Sequence, residues 1–99
     1  MDITAHDIAI SAYRNGLIND YEAVPGETSY RLFHLTNNEL SIVFDIDHDK
    51  EGNIDGWSYA QYERDEYREW RLIGQGGYGL NPDEDIVAVI TKKLSALVY

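Results

Sequence analysis

Between residues 45 and 55 the chain carries five carboxylates, Asp45, Asp47, Asp49, Glu51 and Asp55, against one lysine, Lys50. Carboxylates at this density can ligate a hard cation, imitate a phosphate backbone, or serve turn chemistry. For a cation, placing Asp47 first gives an EF-hand-like loop over 47–58. Asp47, Asp49 and Glu51 then fall at ligand positions one, three and five, Gly52 at six, the Asn53 carbonyl at seven and Asp55 at nine. The pattern departs at position twelve, where Ser58 cannot supply a bidentate carboxylate, and in its approach, which reads as a strand rather than a helix. The alternative calcium set is therefore Asp47, Asp49, Glu51, Asn53 and Asp55.

As a surface, the same residues predict a row of charge. Side chains at i and i+2 on one strand face lie ~6.8 Å apart, and alternate phosphates along duplex DNA rise by about the same distance. Asp45, Asp47 and Asp49 would then imitate a short backbone tract. The following segment adds Glu63, Asp65, Glu66 and Glu69, interleaved with Arg64, Arg68 and Arg71. Those arginines either dilute the mimic or form cross-strand ion pairs on a solvated face. Tyrosine and tryptophan anchor protein interfaces, and Trp57, Tyr59, Tyr62 and Tyr67 lie in this region. The candidate partner-binding set is Asp45, Asp47, Asp49, Glu51, Asp55, Tyr59, Tyr62, Glu63 and Glu66.

Other chemistry has little to stand on. Zinc needs at least three convergent ligands, often at paired spacing, and His6, His34 and His48 have none. No serine sits in a nucleophile elbow. The absence of cysteine removes disulfides and thiol catalysis. Gly74–Gly79 lacks the spacing and the lysine of a phosphate loop and precedes an acidic segment, so it reads as a flexible loop. The expectation is a non-enzyme with no cofactor.

The elements that must position the acidic segment follow from patterning. Thr4 and Asp7 approximate a capping box before Ala5, Ile8, Ala9 and Ala12 at helical spacing, and Asn15-Gly16 supplies a stop; residues 4–15 read as a helix. Residues 17–24 form a weaker strand signal, broken by Asn19-Asp20 and ended at Pro25-Gly26. Thr28–Thr36 and Glu39–Asp47 predict a hairpin turning at Asn37-Asn38. In its second arm Leu40, Ile42, Phe44 and Ile46 point one way and Ser41, Val43, Asp45 and Asp47 the other. Residues 57–73 fit a helix or a second hairpin, and aromatic density favours the hairpin. Asn81, Pro82, an acidic first turn and Ile86, Ile90, Leu94 and Leu97 predict a closing helix. The fold expected is a single α+β domain over 1–99, an antiparallel sheet of three or four strands flanked by an N-terminal and a C-terminal helix.

The whole chain has 99 residues with 18 acidic and 8 basic side chains, a net charge of −10. By region the balance is −4 over residues 1–40, −5 over 41–75 and −1 over 76–99. Such a balance excludes a broadly basic nucleic-acid-binding face and disfavours anionic membrane. The N-terminus shows no basic and apolar signal-peptide pattern, and no apolar run approaches membrane length, so a cytoplasmic location is expected. These features predict an acidic binding protein or inhibitor that occupies a basic, nucleic-acid-handling site on a partner protein. By class analogy it would act as the anti-restriction or anti-CRISPR mimics of phages and mobile elements do, in the host cytoplasm. The alternatives are a calcium-binding domain on loop 47–58 and a homodimer formed through a sheet edge or the aromatic surface.

Overall fold

The computed structural model describes residues 4–79, 85, 87–89 and 92. The chain begins with α1 (Ala5–Arg14) and continues as five strands: β1 (Ile18–Ala23), β2 (Tyr30–His34), β3 (Leu40–His48), β4 (Ile54–Arg64) and β5 (Trp70–Gly79). They form one antiparallel sheet in the order β1-β2-β3-β4-β5, each strand pairing with the next.

The capping box forms as the sequence predicts. The Thr4 hydroxyl accepts from the Asp7 amide at 3.2 Å, and the Asp7 carboxylate accepts from the Thr4 amide at 2.9 Å. Two of the four amides that a helix start leaves without partners are thereby satisfied. These bonds to Thr4, backbone first, hold the Asp7 carboxyl below its ordinary pKa. Ala5, Ile8, Ala9 and Ala12 are the buried positions of α1, as their spacing requires, and the helix ends through Asn15 with Gly16 at φ +70.

The core lies between α1 and one sheet face. Leu32, Ile42, Phe44, Ile46 and Trp57 alternate onto this face and are fully or almost fully buried, joined by Ile18 from β1. The register pairs Leu32 with Ile42 and Ile46 with Trp57, which places them on the same side. Arg31, Ser41, Val43, Asp45, Ser58, Ala60 and Tyr62 fall on the opposite face.

The sheet corrects the expected strand count in two places. The weak 17–24 signal becomes β1, with a register irregularity between Ile18 and Asp20 that accommodates Asn19. The glycine-rich 74–79 segment is not a flexible loop but the second half of β5. Its glycines fit a packing demand rather than a bend. Gly76 pairs with Tyr59, and a Cβ there would meet the Tyr59 ring at 3.0–3.1 Å. Removing the side chain lets the ring lie across the strand, where it stacks with Tyr78 at 6.0 Å. Residues 57–73 take the hairpin form, with its turn at 65–69.

Val87–Val89 and Lys92 are helical, and the Asp85 carbonyl and carboxylate accept from the Val89 and Ala88 amides. Asp85, Val87, Ala88 and Lys92 line one shallow pocket with Ser11, Asn15 and Leu17 from the end of α1. The cap predicted at Asn81-Pro82 and the apolar positions Ile86, Ile90, Leu94 and Leu97 lie outside the described residues. No helix among the described residues is long and apolar enough to cross a membrane.

Candidate partner-binding surface

The acidic segment occupies the β3–β4 hairpin and splits into two kinds of carboxylate. Asp45 and Asp49 are used by the fold. Asp45 accepts a 2.6 Å hydrogen bond from the Thr28 hydroxyl, which fastens the β1–β2 loop to the sheet. Asp49 lies outside β3 and accepts from the Glu51 and Asn53 amides, both at 2.9 Å, so it builds the turn. The row predicted through Asp45, Asp47 and Asp49 is thereby shortened to Asp45 and Asp47. The carboxylates of Asp47, Glu51 and Asp55 are exposed and make no hydrogen bond or ion pair among the described residues.

The residues of the calcium alternative run along the β3–β4 connection and the strand ends that flank it. Asp47 pairs with Gly56, so the connection is only the tight turn around Gly52, with a bulge between Asp47 and His48. Among the described residues no group of three His, Asp or Glu side chains is placed to hold a metal ion. The histidines lie apart: His6 packs against Tyr21 and Tyr30, His34 is buried on β2, and His48 ends β3.

The arginines gather elsewhere. Arg68 pairs with both Glu39 carboxylate oxygens at 2.8 Å, Arg71 pairs with Glu63, and Arg31 reaches Glu22 at 4.0 Å. Arg68 and Arg71, with their partners Glu39 and Glu63, sit near the β4–β5 turn, at the opposite end of β4 from Asp55. Roughly 30 Å of strand separates the two ends at ~3.3 Å per residue. The sheet thus has one end where Arg68 and Arg71 pair with glutamates and one end whose exposed carboxylates make no ion pair among the described residues. The nine predicted residues do not form one patch. Glu63 and Glu66 lie at the far, arginine-bearing end, and Tyr59 and Tyr62 point to opposite faces, Tyr59 beside the core and Tyr62 away from it.

Sequence reasoning missed a stack on the sheet face opposite α1. The Arg31 guanidinium lies 4.9 Å from the ring centres of both Tyr62 and Trp70, Arg64 lies 4.1 Å over Trp70, and Phe33 packs at 6.1 Å on the same indole. Arg31 also donates to the buried Ser41 hydroxyl at 2.8 Å. Burial pulls the Arg31 pKa below its ordinary value, the nearby Tyr62 and Glu22 opposing that shift. The signal lay in the i, i+2 spacing of Arg31 with Phe33 and of Tyr62 with Arg64, which puts cations and rings on one face.

Beside the stack an open groove of about 950 Å³ runs over the sheet, floored by Val43, Ser58 and Ala60 and walled by Thr28 and Gln75. Asp45 and Glu27 line it near the β1–β2 loop, and Tyr62 borders it next to Arg31. Small floor residues leave room for an extended segment or a long side chain, and the carboxylates favour a cationic one. No protein-family model, curated protein or solved structure matches this chain.

Proposed function

We propose that this chain is a non-enzymatic binding protein whose acidic sheet end occupies a basic, nucleic-acid-handling site on a partner protein. The observation that supports it is the separation of charge. Asp47, Glu51 and Asp55 stand exposed and unpaired at the β3–β4 hairpin, while Arg68 and Arg71 are matched to glutamates at the far end. These carboxylates outnumber Lys50, the lysine in the same turn, so a net negative field is left to steer a cationic partner. The adjoining groove, with Asp45 and Glu27 at its edge, would take a lysine or arginine side chain from the same partner. In this reading the carboxylates compete with phosphates, the mode of action of small anti-restriction and anti-CRISPR inhibitors.

Because Asp45 and Asp49 hold the fold, the test reverses charge at the other three. The immobilised chain captures partners from host lysate at about 0.05 M and about 0.5 M salt, where screening lengths differ roughly threefold, with duplex DNA as competitor. Capture is expected to fall at high salt, to be displaced by DNA, and to vanish for Asp47→Lys/Glu51→Lys/Asp55→Lys. A partner held equally by that variant would show that these carboxylates serve only solubility.

A further inference from the structure

We infer that β5 is a self-pairing edge through which two copies of this chain join into one continuous sheet. Among the described strands β1 and β5 are the two edges. An edge exposes a row of unpaired backbone donors and acceptors, and proteins blunt such rows with charge, bulges and brevity. The β1 edge has these features: it is 6 residues long, carries Asp20 and Glu22, and breaks register near its start. The β5 edge runs for 10 residues with Arg71 as its one charge, and it leaves Leu72, Ile73 and Tyr78 between 41% and 49% exposed.

The sequence of β5 is complementary to itself reversed. Its ladder to β4 runs from Arg64–Trp70 to Gly56–Gly79 through Ala60–Gln75, with Ile73 bulged out of the register. A two-fold axis perpendicular to the sheet at Gln75 therefore maps ladder position onto ladder position. It sets Trp70 against Gly79 of a second copy, Leu72 against its Gly77, Arg71 against its Tyr78, and Gly74 against its Gly76. Trp70 and Leu72 thus meet residues without side chains, and the arginine meets a ring. In each of these pairs the two residues lie on the same face of the sheet, and the two-fold closes the assembly at two copies.

The uneven distribution of charge favours the same arrangement. Gly79 lies at the acidic end of the sheet, where its backbone neighbours Asp55, and Trp70 lies at the end that carries Arg64, Arg68 and Arg71. Antiparallel self-pairing sets the more acidic end of each copy beside the end where Arg64, Arg68 and Arg71 offset most of the carboxylates. Parallel pairing would place acidic ends together, at a repulsive cost.

The native chain lacks cysteine, so one substitution reads the axis. Gln75→Cys places two thiols across the two-fold, with Cα atoms ~4.5–5.5 Å apart, inside the range a disulfide spans. Under mild oxidation it is expected to give a covalent dimer at least tenfold faster than Tyr67→Cys, a collisional control in the exposed β4–β5 turn. Light scattering on the native chain should give twice the 11.3 kDa of one copy, and Leu72→Lys should return it to monomer with an unchanged circular dichroism spectrum. Monomeric mass up to about 1 mM, weaker than a millimolar Kd, together with cross-linking no faster than the control, overturns the inference. Cross-linking of Gln75→Cys to a cysteine placed at Ala23 on β1 also overturns it, in favour of head-to-tail growth.

Discussion

Replacing Arg31 tests whether the stack on the open sheet face holds the fold. Arg31→Ala removes two ring contacts at 4.9 Å, each worth about 0.5–2 kcal/mol depending on desolvation. It also strips the 2.8 Å donor from Ser41, a residue only 3% exposed, and an orphaned buried hydroxyl costs about 1–3 kcal/mol. The expected loss is about 3 kcal/mol, which for a domain of this size lowers Tm by roughly 12–24 °C. Arg31→Lys keeps the charge but loses the plane that stacks, for about 1–2 kcal/mol. Arg31→Met keeps the stem and removes a charge that burial disfavours, so it should cost less than alanine. Urea unfolding followed by tryptophan fluorescence gives the values. A cycle of Arg31→Lys with Trp70→Leu should return a coupling of about 1 kcal/mol. Native stability in Arg31→Lys, or a coupling near zero, refutes the stack as a stabilising element.

Four further outcomes follow from particular contacts. Asp49 and Asp65 build the same turn, each accepting from the amides two and four residues on, with Gly52 and Arg68 at positive φ three residues on. Asp49→Ala and Asp65→Ala should therefore cost similar amounts, about 1–2 kcal/mol each, whereas unequal losses in chemical denaturation would separate the two turns. Gly56→Ala places a Cβ 2.5 Å from the Tyr78 carbonyl oxygen at an ordinary φ, so overpacking rather than backbone strain should cost about 1–3 kcal/mol, seen as a fall in Tm. The depressed Asp7 pKa adds stability that is complete above its unfolded value near 3.8 and is lost as pH falls below it; Asp7→Asn should flatten the acid limb of a Tm-against-pH curve. Tyr59 is shifted the other way, by desolvation first and then by its hydrogen bond to Tyr78, so stability present below pH 10 should be lost above it, and Tyr59→Phe should remove that loss.

Much of the architecture was legible in local pattern. The Thr4–Asp7 box and the spacing of Ala5, Ile8, Ala9 and Ala12 settle α1, because capping and helical period depend on neighbours three and four residues away. The alternation of Leu40, Ile42, Phe44 and Ile46 settles which face of β3 is buried, since a strand's period is two. The Gly74–Gly79 segment was misread because its glycines answer to Tyr59 and Trp57, residues far away in sequence but adjacent across the ladder.

The charge of the acidic segment belongs to composition alone, and no fold could hide five carboxylates against one lysine. Its division is local only at Asp49, which is held by amides two and four residues on. Elsewhere tertiary structure decides which carboxylates find partners: Thr28 meets Asp45 across 17 residues, and Arg68 meets Glu39 across 29. Sequence fixes the number of charges, but sheet register decides which of them find a counterion.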